Sequence, residues 1–163
     1  LALWLWRQLG CEVTATELAP HVAARARESV RLNRSPVRVV EGDLLAGLGG
    51  PFDHVLFNPP YVPTAAGRAR GLPERLRSQW DGGADGTEVL ARFLESFERE
   101  GGNATALRGV NRRHVPRELD LQRIGERAGL ELVERLDAAW LPSDVYVLAR
   151  RPHGDAGAPD PGA

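Results

Sequence analysis

The tetrapeptide Asn58-Pro59-Pro60-Tyr61 closes the apolar run 54–57, and it limits the possible folds more than any other stretch of the chain. Consecutive prolines have no N–H to give a β ladder, so strand pairing must stop there. Two fixed φ angles also leave the backbone stiff. A strand that ends in a stiff turn can hold the Asn58 carboxamide and the Pro59 carbonyl as a fixed pair of acceptors. A planar NH2 group donates two hydrogens, and two convergent acceptors satisfy both. The pattern selects an amide or an exocyclic amine, whose flat face Tyr61 can cover.

The flanking sequence alternates between the two hydrophobic periods. Residues 1–9 are apolar on nearly every side and predict a buried helix, ended by Gly10. Residues 11–17 alternate as a short strand. Residues 19–33 predict a helix with Pro20 in its first turn and Val22, Ala26, Ser29 and Val30 on one face. A strand at 37–40 stops at Glu41-Gly42-Asp43, and a Gly-rich turn at 47–51 leads into 54–57. Strand, helix, strand, turn, strand is the signature of an α/β fold with a parallel sheet. Ligands of such sheets sit at the carboxyl ends of strands, which here are Glu17, Asp43 and residues 58–61.

Further along, residues 62–86 read as a Pro/Gly/Arg loop too long for a plain connection, which favours a role facing the substrate. Residues 87–100 predict a helix with Val89, Leu90, Phe93, Leu94 and Phe97 on its apolar face. Residues 101–108 offer only weak β formers, so a degraded or shifted strand is expected, followed by a solvated cluster of Arg112, Arg113 and His114. A helix at 117–128 and strands at 130–136 and 145–149 complete a domain spanning 1–150, and 151–163 is expected to be a disordered tail. Trp4, Trp6 and Trp140 are expected in the core, whereas Trp80, beside Asp81-Gly82-Gly83, is expected to order the substrate loop. His54 is expected to be packed or on the rim, not a catalytic base.

Composition removes several classes. Hydrophobic residues at 42% and charged residues at 26% exclude wholesale disorder. The opening LALWLW is interrupted by Arg7, and no apolar run approaches the roughly 18 residues of a membrane span. A net charge of −1 gives no global case for gripping a phosphate backbone. The single Cys11 cannot close an internal disulfide, and no Cys/His cluster has metal-ligand spacing, so no metal and a cytoplasmic, reducing location are expected. All 21 basic residues are arginine, which codon bias in a GC-rich genome explains most simply.

Phe57-Asn58-Pro59-Pro60-Tyr61-Val62 resembles motif IV of the amino-group methyltransferases that use S-adenosyl-L-methionine. Residues 15–20 (ATELAP), 39–45 (VVEGDLL) and 80–86 (WDGGADG) narrow the resemblance to the HemK/PrmC family, the methyltransferases of the release-factor GGQ glutamine. The resemblance covers about residues 1–100. It implies a Rossmann-like class I methyltransferase fold, doubly wound around a mostly parallel sheet. It also implies a glutamine amide in the GGQ loop of a peptide chain release factor as substrate, with Asn58, Pro59, Pro60 and Tyr61 as catalytic residues. Glu17 would accept from the ribose hydroxyls of the cofactor, Asp43 would face the adenine amino group beside Leu44, and Asn58 would border the transferred methyl. Asp43 as a plain turn carboxylate and Glu17 as a helix cap stand as alternatives.

A relative would carry its first strand and glycine-rich loop upstream of Leu1, in the middle of the sheet, and both are missing from this sequence, which contains no methionine. The expectation is that these 163 residues alone are not a stable, active enzyme. Two other functional readings remain open: a DNA or RNA amino-group methyltransferase (adenine N6 or guanine N2), since the tetrapeptide is shared with those enzymes, and a truncated, inactive remnant.

Overall fold

Each run settles as its period requires in a computed structural model that describes residues 1–100, 105–111, 123, 125–137 and 143–150. Helix α1 (Ala2–Leu9) ends where Gly10 takes φ 67° and donates its N–H to the Trp6 carbonyl. Strand β1 (Thr14–Glu17) pairs in parallel with β2 (Arg38–Glu41), in a register running from Thr14 opposite Arg38 to Glu17 opposite Glu41. The crossover is α2 (Pro20–Leu32), which buries Ala23 and half-buries Val22, Ala26 and Val30. Ser29, expected on that face, is exposed and bonds back to the Arg25 carbonyl.

A second sheet has the order β3-β4-β6-β5. Strand β3 (His54–Phe57) runs parallel to β4 (Thr105–Asn111), while β6 (Ser143–Arg150) lies antiparallel between β4 and β5 (Leu130–Asp137). Only β6 is reversed in this sheet. Among the described residues, β1 and β3 each have a strand on one side only. The weak region at 101–108 yields a full strand displaced toward the C-terminus. Ala106, Gly109 and Asn111 are poor β formers, but pairing with β3 and β6 overrides propensity.

The core is organised by α5 (Glu88–Glu100). Leu90, Phe93, Leu94 and Phe97 recur at helical spacing, are at most 1% exposed, and pack with Leu45, Val55, Ala128, Leu130, Tyr146 and Leu148. Each such side chain contributes about 1.5–3 kcal/mol on burial. The polar Ser96 shares this face, where its Oγ accepts the Leu45 N–H at 3.4 Å. The turn after β2 is thereby docked on the helix that also carries β3.

Two expectations need correction. No α1 residue is buried, and Trp4 is 56% exposed. An all-round apolar helix can be buried, but only a facing layer does so, and the described elements leave Leu3, Leu5 and Trp6 no more than half-buried. The stretch 62–86 is no open loop: it contains α3 (Thr64–Ala69), a 3-10 turn (Glu74–Leu76) and α4 (Arg77–Trp80). Trp140, Arg112, Arg113, His114, most of the expected helix 117–128 and the tail 151–163 lie outside the described residues.

Candidate functional site

Strand β3 is seated by its second and last residues. Val55 is buried, and the Phe57 ring stacks on Phe93 with centroids 4.3 Å apart and planes 22° from parallel. The next residue, Asn58, leaves the sheet. Its side chain is exposed and has no hydrogen-bond partner among the described residues, whereas Pro59 is buried and Pro60 and Tyr61 are half-buried. The prolines anchor the turn and the carboxamide is left for something else to bind.

Residues 62–86 form a folded strap directly after this turn. Val62 donates to the Trp80 carbonyl at 2.9 Å and accepts from Gly82 N–H at 2.9 Å, forming a parallel bridge with Asp81. Thr64 N–H donates to the Gly83 carbonyl at 2.9 Å, and Thr64 Oγ1 donates to Asp81 Oδ1 at 2.6 Å. The same Asp81 oxygen accepts the Gly83 N–H at 2.9 Å, while Oδ2 accepts from Arg77 Nε at 2.5 Å. Burial pushes the Asp81 carboxyl up, but the Thr64 hydroxyl, the Gly83 amide and the Arg77 guanidinium outweigh it and hold it below the ordinary aspartate value.

Trp80 orders the strap as expected. Only 8% exposed, it donates Nε1–H to the Pro73 carbonyl at 3.0 Å and lies against Gly67, where a Cβ would fall 2.2 Å from its ring. Gly86 has φ 87° and a Cβ there would fall 2.4 Å from the Tyr61 carbonyl oxygen. Only glycine allows that conformation and that approach together. Two glycines therefore decide how closely the strap closes on the Asn58–Tyr61 turn.

The other sequence-predicted residues lie at the ends of β1 and β2. Glu17 Oε1 accepts the Ala19 N–H at 3.0 Å just before α2, but Ala19 is the N-cap and no side chain caps the helix, so Glu17 is not its cap. The other, Oε2, has no protein donor among the described residues, and two donors of a ribose diol fit an acceptor of that kind. Asp43 pairs through Oδ2 with Arg92 of α5, an exposed contact the sequence did not flag because the partners are 49 residues apart. Leu44, next to it, is a non-glycine residue at φ 55° and packs against the core. That conformation costs an L-residue about 1 kcal/mol, and such residues cluster at functional sites.

His54 is exposed, on the rim. Arg68 and Arg77 pair with Glu74 at 3.8 and 3.3 Å in solvated contacts worth at most about 1 kcal/mol. Among the described residues no cluster of His, Cys, Asp or Glu could hold a metal, and no helix is long and apolar enough to cross a membrane.

Solved structures share this architecture. A TehB-like S-adenosylmethionine-dependent methyltransferase from Corynebacterium glutamicum superposes with a TM-score of 0.60 at 20% identity, over 92% of this chain and 73% of its own. The fold is that of the class I S-adenosylmethionine-dependent methyltransferases. Within that class, the chain is similar to a release factor glutamine methyltransferase of Deinococcus radiodurans, 49% identical over 82 residues that make up 48% of this chain and 29% of the relative. Methyltransferase HEMK2 of Mus musculus matches at 39% over 48% of this chain and 38% of its own length. A tRNA1(Val) (adenine(37)-N6)-methyltransferase of Aeromonas hydrophila matches at 31% over 50% and 34% respectively. The chain spans less than half the length of each of these three relatives. No family model matches it.

Proposed function

We propose that this chain carries the target-amide site and part of the cofactor site of an S-adenosylmethionine-dependent N-methyltransferase acting on the GGQ glutamine of a peptide chain release factor. The observation that carries the reading is the exposed Asn58 carboxamide, without a hydrogen-bond partner among the described residues and held beside the buried Pro59, in a chain 49% identical over 82 residues to a protein named for that activity. Bound S-adenosylmethionine supplies a methyl group on an electrophilic sulfonium.

The residues of this chain position the acceptor. Asn58 Oδ1 and the Pro59 carbonyl accept the two hydrogens of the glutamine NH2, turning its nitrogen toward the methyl and favouring the positive charge that develops on it. Tyr61 covers the amide plane, and Pro60 keeps the turn stiff. Glu17 holds the ribose diol through Oε2, and Asp43 and Leu44 border the adenine. As the nitrogen gains the methyl, the methyl–sulfur bond would break to leave a neutral thioether, and one N–H proton would pass by way of the Asn58 or Pro59 oxygen to water. Release factors work on cytoplasmic ribosomes, so a cytoplasmic enzyme follows.

Radiolabelled methyl transfer to a release factor, abolished when its GGQ glutamine is replaced, is the expected result. The similarity to an adenine-N6 methyltransferase of tRNA supports a second reading, an exocyclic amine of a base as acceptor. Transfer to RNA or DNA with none to the release factor would establish that reading and overturn the first.

A further inference from the structure

We propose that Asp81 is a positioning residue, a clamp that fixes the backbone at 61–64 and through it the Asn58–Tyr61 turn; this rests on the methyltransferase reading above. The side chain is 7% exposed and lies outside the acceptor pair itself. Its Oδ1 ties Thr64 on one side of the strap to Gly83 on the other, and its backbone forms the bridge with Val62. Three main-chain hydrogen bonds, Val62 to Trp80, Gly82 to Val62 and Thr64 to Gly83, close the same junction. Residues 62–64 follow Tyr61 without a break, and Gly86 lies so close to the Tyr61 carbonyl that a Cβ there would fall 2.4 Å from its oxygen. The turn that presents Asn58 is thus held at its start by Phe57 on Phe93 and at its end by the Asp81 junction.

The two carboxylate oxygens have unequal roles. Oδ1 faces inward and takes two neutral donors, whereas Oδ2 meets Arg77, whose side chain is 48% exposed. A solvated guanidinium adds little. The acceptor at Oδ1, and not the negative charge, carries the clamp.

The test uses the full-length protein and compares Asp81→Ala, Asp81→Asn, Thr64→Val and Arg77→Ala. Asp81→Ala should lower kcat for methyl transfer about tenfold to 100-fold, with the affinity for S-adenosylmethionine unchanged within about twofold, because the clamp touches no cofactor-binding residue. Thr64→Val, which removes the hydroxyl at constant shape, should lower kcat in the same sense. Asp81→Asn keeps an oxygen at Oδ1 and should restore kcat to within about threefold of the unaltered protein, and Arg77→Ala should leave it unchanged. Hydrogen exchange at the Val62 and Thr64 amides gives a readout independent of activity: it should rise in Asp81→Ala and not in Arg77→Ala. Unchanged exchange and kcat in Asp81→Ala would overturn the proposal, as would a parallel loss of cofactor affinity and turnover that Asp81→Asn fails to rescue. If the unaltered protein methylates no release factor, the functional reading fails, while the exchange experiment still decides the clamp.

Discussion

Phe57 stacks on Phe93 at 4.3 Å, which joins the last residue of β3 to the middle of α5 immediately before Asn58 departs from the sheet. The position of an exposed polar side chain is therefore set by a contact inside the core. Phe93 is 1% exposed and also meets Phe97, with centroids 6.1 Å apart. Replacing Phe93 with alanine should cost about 3–5 kcal/mol, measured as a shift in urea midpoint of the full-length protein. Phe93→Leu keeps most of the volume and should cost less than half as much.

Asn58→Ala should separate stability from function. The carboxamide makes no hydrogen bond within the described chain, so its removal should change unfolding free energy by less than about 0.5 kcal/mol. Turnover should fall by about 100-fold or more, the magnitude typical of losing one preorganised polar group in a transition state. Steady-state methyl transfer alongside thermal melting makes the comparison.

Gly67→Ala should loosen the strap. The added methyl would meet the Trp80 ring at 2.2 Å, so the indole must leave its place under α3 and the Nε1 bond to Pro73 is strained or lost. Overpacking of this kind costs about 1–3 kcal/mol. Trypsin should then cleave after Arg68, Arg70 or Arg75 faster than in the unaltered protein, with the cut sites read by mass spectrometry.

Asp43 and Arg92 form an exposed pair, and Arg92→Ala should lower stability by no more than about 1 kcal/mol. Asp43→Asn should weaken S-adenosylmethionine binding in titration calorimetry more than Arg92→Ala does, because the proposed contact to adenine belongs to the carboxylate. Equal effects would show that Asp43 serves only the ion pair.

Acid should act through the strap. Asp81 is held below its ordinary value as described above, and Asp85 is held low by the Thr87 hydroxyl and amide. A carboxyl depressed on folding stabilises the folded chain fully above its unfolded pKa of about 3.9, and that contribution disappears as pH falls through the lower folded value. Stability should thus be indifferent to these groups near neutrality and decline below about pH 4. Asp81→Asn should flatten the decline in melting temperature measured from pH 6 to pH 3.

Local patterns were enough to locate β3, the helices α2 and α5, and the break at Asn58-Pro59-Pro60-Tyr61, because proline chemistry and hydrophobic periodicity act within a few residues. The placement of Asn58 and Pro59 just after β3 was legible for the same reason. Strand β4 was legible only as a shifted strand near 101–108; its full extent was not, since it comes from pairing with neighbours far along the chain. Nor were the exposure of α1, the contact of Asp43 with Arg92, or the buried Ser96 beneath Leu45. Each depends on which surfaces meet. The strap shows the division most clearly: its glycines, Trp80 and Asp81 are plain in the sequence as a motif, yet only the approach of Gly67 to Trp80, Gly86 to Tyr61 and Asp81 to Thr64 decides that the motif closes over the end of β3. Sequence determined which groups stand at the end of β3, and tertiary packing decided what holds them in place, because hydrogen bonds and steric contacts between distant segments exist only once the backbone has brought those segments together.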